Sequence, residues 1–229
     1  MRNQQENVLH VFVQQVRNDN RRKKLLSIAE KSGINVQAIS NEKLKEKCPK
    51  ARHQGVVAEI RLSKSRAVSL DDILDKEALL LLVLDEVQDP HNIGACLRTA
   101  DAIGADAVIV SKNRSPALTP VIRNVASGAA ETVPYIMVSN LARALDKIKE
   151  NNVWIIGTSG DCTQTIYDAS KNLKADQSLA LVMGSEGKGM RRLTREACDE
   201  LVSIPMQGSV ESLNISVATA VCLYEIRRQ

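Results

Sequence analysis

From Leu79 onward, short runs of Val, Ile and Leu alternate with longer stretches of helical character, and this alternation constrains the fold more than any other feature. The runs 79–84, 107–110, 133–138, 153–157, 179–183 and 200–204 are short, rich in Val, Ile and Leu, and apolar on both faces, as strands covered by helices should be. Segments 93–103, 120–130, 141–151, 193–198 and 215–228 carry the helical spacing. Strand–helix alternation of this kind builds an α/β fold, a parallel sheet with crossover helices. Ligands in such sheets bind beyond the carboxyl ends of the strands.

The first 78 residues have a different character. Strands are expected at 8–13, 36–39 and 55–62, with helices at 21–31 and 41–47, which makes a small α/β unit. After residue 62 the chain is poor in apolar residues and mixed in charge, as a linker would be. The expected division is therefore 1–62, a linker over 63–78, and a larger domain over 79–229. Residues 1–78 hold 16 Lys and Arg against 10 Asp and Glu, whereas residues 79–229 hold 15 against 17. Positive charge confined to one segment suits a module that contacts a polyanion, and it also suits a solvated helix face such as 21–24.

Other classes are excluded early. With 44% hydrophobic residues the chain is not disordered, and its longest apolar run, 78–84, is far too short to cross a membrane. The polar N-terminus carries no signal-peptide pattern. Cys48, Cys96, Cys162, Cys198 and Cys222 are scattered without a CxxC pair, which predicts reduced thiols in the cytoplasm and no metal cluster. Cys96 reads as a packing residue.

Three loops at strand ends carry the chemistry. The first reads DPHNIGACLRTA over 89–100; Pro90 fixes the entry, Asn92 is expected to cap the helix, and Arg98 is the only charge between Asn92 and Ala100. A bland alternative gives Asn92 only the cap and Arg98 a salt bridge. The second, LVMGSEGKGM over 181–190, has the glycine order G-x-x-G-x-G, the reverse of the dinucleotide fingerprint, and lacks a P-loop ending. An NAD-linked oxidoreductase fails on that order. The glycines fit positive φ and close backbone approach, as a structural turn also requires. The third, IPMQGSVESLNISVATA over 204–220, exposes backbone between small and amide side chains. With only His10, His53 and His91, and no partner at fixed spacing, no Ser/His/Asp triad is present and His91 is a poor candidate base.

Taken in order, these three loops resemble the signature motifs of the SPOUT-class RNA methyltransferases, in the TrmH/RlmB group of ribose 2′-O-methyltransferases. The resemblance covers about residues 79–229. RHQGVVA over 52–58 resembles the closing segment of the group's small substrate-binding domain, related to the ribosomal L30e fold. The usual first strand and helix of that domain are missing before Val8, so the domain is N-terminally short against the family pattern.

This resemblance implies a parallel sheet with a C-terminal trefoil knot and a small L30e-like N-terminal domain. It implies S-adenosyl-L-methionine (AdoMet) as cofactor, held at Thr158, Gly184, Ile204, Met206 and Leu213, with no metal and no membrane. Arg98, Asn92, Glu186, Ser212 and Asn214 become the catalytic set. The family proposal has Arg98 activate the ribose hydroxyl; an arginine, effectively always protonated, suits holding phosphate and stabilising an alkoxide better. Only five aromatics, Phe12, Tyr135, Trp154, Tyr167 and Tyr224, are available, so adenine is expected against apolar side chains and main-chain groups. The implied activity is methylation of a guanosine in 23S ribosomal RNA by a homodimer. A tRNA methyltransferase and a non-catalytic ribosome-assembly factor of the same fold are the rivals. Val217, Val221 and Tyr224 of the last helix are expected to be mostly core, with a share in the dimer.

Overall fold

The computed structural model describes residues 8–15, 20–49, 53–60, 68–174 and 176–228. The chain divides into two compact units, residues 1–67 and 68–229.

In the first unit β1 (Val8–Gln14), α1 (Asn20–Lys31), β2 (Asn35–Ile39), α2 (Asn41–Lys47) and β3 (Val56–Ile60) follow one another. The sheet order is β2-β1-β3, with β1 parallel to β2 and antiparallel to β3. Alternation along β1 sends Val11 and Val13 to one face, with Ala29 and Ile34, and Phe12 to the other, with Ile39 and Leu44. Lys47 Nζ lies 3.9 Å from the Phe12 ring centroid, a cation–π contact. Lys23 and Lys24 of the cationic run are exposed. Residues before Val8, Arg52 of the closing segment, 61–62 of the expected third strand, and 63–67 of the expected linker lie outside the described residues.

The second unit contains α3 (Leu70–Leu74), β4 (Leu80–Leu84), α4 (Pro90–Ile103), β5 (Ala107–Ser111), α5 (Pro120–Val125), β6 (Tyr135–Val138), α6 (Leu141–Glu150), β7 (Trp154–Thr158), α7 (Ile166–Ser170), β8 (Leu179–Met183), α8 (Arg192–Ala197), β9 (Glu200–Val202) and α9 (Ile215–Arg227). Its six strands are all parallel, in the order β6-β5-β4-β8-β7-β9. Successive residues of β4 face opposite layers. Leu82 and Leu84 pack with α4 and α9, and Leu81 and Val83 pack with α3 and α6. Every residue of β4, β5 and β8 is buried, as the apolar runs required. The α/β class with a parallel sheet is the one expected.

Four expectations need correction. Residues 70–74 are not linker but helix: Ser69 and Asp72 form a reciprocal cap, and Ile73 and Leu74 are buried against the sheet. The helix expected over 120–130 stops at Val125, because Ser127 and Gly128 turn to φ 53° and 103° and a 3-10 turn follows at Ala129–Glu131. The strand expected over 200–204 ends at Val202, which leaves Ile204 in the following loop. Val217 and Tyr224 are not core; they are 49% and 55% exposed, while Ile215, Thr219, Cys222, Leu223 and Ile226 form the buried stripe of α9. The helix α7 was not expected at all; it is short, and capped by Thr165.

One path matters for the site. The chain leaves β9 at the sheet edge and returns through 203–214 to the loops after β4 and β8, where α9 begins and packs on α4. The trefoil knot implied by the resemblance requires a return of this kind.

Candidate active site at the carboxyl ends of the sheet

The loop after β4 opens with Asp85, fully buried, and Glu86, held at φ 59°. Asp89 then caps α4, its side chain accepting from His91 N at 3.0 Å, and Pro90 takes the first helical position. Asn92 is therefore not the cap. It sits in the first turn, which leaves its amide free to reach across to the other loops.

The loop after β8 is a tight closure. Ser185 and Gly189 exchange backbone hydrogen bonds at 3.1 and 2.9 Å, leaving Glu186, Gly187 and Lys188 at the tip. A Cβ on Gly184 would lie 2.3 Å from Gly189 C and from Met190 N, so only glycine lets these backbone segments pass. Gly189 also needs its φ of 65°.

These loops meet the third at Asn214, the N-cap of α9. Asn214 Oδ1 accepts from Ser216 N at 2.9 Å, while Nδ2 donates to Glu186 Oε1 at 2.8 Å and to Asn92 Oδ1 at 3.0 Å. Asn92 Nδ2 also donates to Glu186 Oε1, at 3.2 Å, and Ile215 N donates to the same oxygen at 3.1 Å. One carboxylate oxygen thus gathers three donors from two other segments, and its negative charge also sits at the N-terminus of α9, where the helix dipole favours it.

The other sequence-derived candidates divide. Arg98 is exposed on α4 and its guanidinium has no hydrogen bond or ion pair among the described residues. The salt bridge offered as its bland role is absent there. Ser212 is exposed and joins no bond of the network among the described residues. His91 is exposed too, and its imidazole makes no hydrogen bond among the described residues. Cys96 is buried and bonds Thr219 Oγ1 at 3.6 Å; burial pushes its thiol up to about 11, so it is packing and not a nucleophile. Among the described residues no cluster of His, Cys, Asp or Glu is placed to hold a metal ion.

Of the five positions expected to hold the cofactor, Thr158 and Gly184 lie at strand ends, and Ile204, Met206 and Leu213 lie in the loop between β9 and α9. Thr158 ends β7 opposite Val202 of β9, and its hydroxyl donates to Val182 O of β8 at 3.3 Å. Gly184 follows β8 directly, Ile204 and Met206 follow β9, and Leu213 precedes the α9 cap. Neither the N–H nor the carbonyl of Gly184, Ile204, Met206 or Leu213 is used in a hydrogen bond among the described residues. Open main-chain donors and acceptors beside the apolar Ile204 and Leu213 fit a nucleoside with a zwitterionic tail such as AdoMet.

Asp85 and Arg191 were not singled out from the sequence. Arg191 donates to both oxygens of Asp85, from its backbone N–H at 2.9 Å and from Nε at 2.8 Å. Glu86 accepts from Arg114 at 2.6 Å. The available signal was a carboxylate immediately after a fully apolar strand, a place where a charge survives only if it is paired.

The sequence model described as the SpoU rRNA Methylase family matches residues 79–224, and one described as RNA 2′-O ribose methyltransferase substrate binding matches residues 1–65. The chain belongs to the SpoU rRNA methylase family. A relative from Haemophilus influenzae, named 23S rRNA (guanosine-2′-O-)-methyltransferase RlmB, is 54% identical over 227 residues, covering 98% of this chain and 91% of its own. The protein of the same name from Bordetella pertussis is 48% identical over 231 residues, covering 100% and 92%. The crystal structure of the SpoU methyltransferase AviRb from Streptomyces viridochromogenes, in complex with the cofactor AdoMet, superposes with a TM-score of 0.74 at 25% identity, covering 96% of this chain and 82% of that one. The three loops described here fall inside the matched methylase segment.

Proposed function

We propose that this SpoU methylase transfers a methyl group from AdoMet to the ribose 2′-oxygen of a guanosine in 23S ribosomal RNA. The observation that carries the reading is the convergence of Asn92, Glu186 and Asn214 beside the open main-chain groups after β8 and β9. The substrate is taken from the relatives, which are about half identical over nearly the whole of both chains.

When bound, AdoMet supplies an electrophilic methyl group on a sulfonium. The protein's share is alignment, and holding two reacting atoms in line is worth roughly 7–11 kcal/mol in good cases. Asn92, Glu186 and Asn214 lock the three loops into one frame that orients the nucleoside. Arg98, charged at the surface of α4 and unpaired among the described residues, holds the adjacent phosphate and stabilises the oxyanion that develops on the 2′-oxygen. The hydroxyl proton passes to water or a phosphate oxygen, since a guanidinium is no base. Ser212, on the exposed loop before Asn214, is assigned to ribose contact. Residues 1–62 serve as the RNA substrate-binding domain, with Lys23 and Lys24 on phosphate. The protein works in the cytoplasm as a homodimer, joined through the exposed face of α9 that carries Val217 and Tyr224.

Incubation with tritiated AdoMet and separate 23S rRNA and tRNA fractions, followed by nucleoside mapping, tests the assignment. Label on the 2′-oxygen of one guanosine in the rRNA is expected. Label confined to tRNA would reassign the substrate, and no label in either would end the reading.

A further inference from the structure

Asp85 is the one carboxylate among the fully buried polar residues of the described chain, and nothing in the proposed chemistry uses it. It sits at the first position past β4, where its own N–H continues the sheet by donating to Met183 O at 2.8 Å. Its two oxygens are taken separately: Oδ2 by the backbone N–H of Arg191 and Oδ1 by Arg191 Nε. A burial this complete costs far more than it returns unless the ion is fully paired.

Arg191 is where the glycine-rich loop ends and α8 begins. The preceding residues, Gly189 and Met190, are the backbone against which Gly184 is packed. The loop is thus fixed at its start by that contact, closed on itself by the Ser185–Gly189 pair, and tied at its end to Asp85. Glu186 stands at the tip and meets Asn92 and Asn214 only if this geometry holds. Arg191 Nε also lies 3.5 Å from Glu86, whose carboxylate binds Arg114 in the loop after β5.

Resting on the functional reading above, we propose that the Asp85–Arg191 pair is a positioning latch for the 184–190 loop, setting where Glu186 and the open Gly184 backbone stand relative to the motif at Asn92. Asp85 and Arg191 act through the loop and do not touch the reacting atoms.

The test compares wild type with Arg191→Ala, Arg191→Lys and the double variant Asp85→Asn/Arg191→Ala. Arg191→Ala leaves a buried carboxylate short of a partner and lowers the thermal midpoint. The double variant removes that charge too, so a purely structural role predicts recovery of both stability and turnover. The latch predicts recovery of stability only. In the double variant, amide exchange at residues 185–189 should rise by about tenfold or more and kcat fall by about tenfold, the scale of one lost charge-assisted hydrogen bond. Arg191→Lys, which keeps the backbone bond and the charge, should recover part of kcat. Wild-type turnover in the double variant, or an exchange increase shared equally by β8, would overturn the proposal. Exchange needs no methyl donor, so wild-type protein that transfers no methyl group would sink the functional reading and leave the loop result standing.

Discussion

Asn214 and Asn92 are separated by 122 positions in the chain, yet Asn214 Nδ2 donates to Asn92 Oδ1 at 3.0 Å. The same asparagine caps α9 through its oxygen. The two jobs can be separated. Asn214→Ser keeps a capping hydroxyl and loses the amide donor, so stability should stay within about 0.5 kcal/mol while methyl transfer falls roughly tenfold. Asn214→Ala loses both and should also cost about 1 kcal/mol in thermal or urea denaturation. A fully active Asn214→Ser protein would remove the bridge from the mechanism.

Arg98 is exposed and unpaired among the described residues, so replacing it should leave the fold alone. Arg98→Lys keeps a charge without the planar fork. Turnover should drop by about 10²-fold, the scale seen when one transition-state donor is removed, with an unchanged thermal midpoint. Single-turnover rates with saturating AdoMet read this directly.

Gly184→Ala forces a methyl group to within 2.3 Å of the Gly189 and Met190 backbone. No rotamer relieves a clash with main chain, so the loop must shift. Calorimetric AdoMet affinity should fall tenfold or more, and stability by about 1–3 kcal/mol, as overpacking typically costs. AdoMet affinity at the wild-type level would show that the backbone contact at Gly184 is dispensable.

Glu225 links α9 to α7 by accepting from Ser170 Oγ at 2.7 Å, and it pairs with Arg228 at 2.8 Å. Arg228 first, and Ser170 second, hold its carboxyl down to about 2 from an ordinary value of 4.5. A lowered folded-state value means the stabilisation is complete above about pH 4.5 and is lost as pH falls toward 2. Thermal midpoints measured from pH 5 downward should fall less steeply in Glu225→Gln than in wild type.

Val217 and Tyr224 stand seven residues apart on α9, two turns along one exposed face. Tyr224→Arg should give a folded monomer where the unaltered chain gives a dimeric mass by light scattering. A monomeric wild type at micromolar concentration would contradict the proposed dimer.

The sequence made the sheet legible because β4, β5 and β8 are buried on both faces, and burial of that kind leaves no polar position to confuse the pattern. It failed where few residues decide an element. Two apolar side chains, Ile73 and Leu74, turn a charged stretch into α3, and composition over a longer window hid them. The inward face of α9 is not legible because Val217 and Tyr224 share a helical spacing with apolar residues that do pack, and periodicity alone does not say which stripe faces inward. At the site, the family resemblance named Asn92, Glu186 and Asn214, which the structure joins by hydrogen bonds, but it gave no sign that Asp89 takes the cap and so frees Asn92. The strand order was also out of reach. Nothing local in 179–183 says that this segment lies between β4 and β7.

That placement has a consequence for assembly. The innermost ladder of the sheet closes only when a segment made late is slotted between two neighbours already synthesised, so growth cannot proceed by adding each new strand to an open edge. Contacts this distant in sequence are reached slowly. Newly made chains should therefore pass through a stage with most of their helices in place and no capacity to hold a methyl donor, a stage that ends when 179–214 settles.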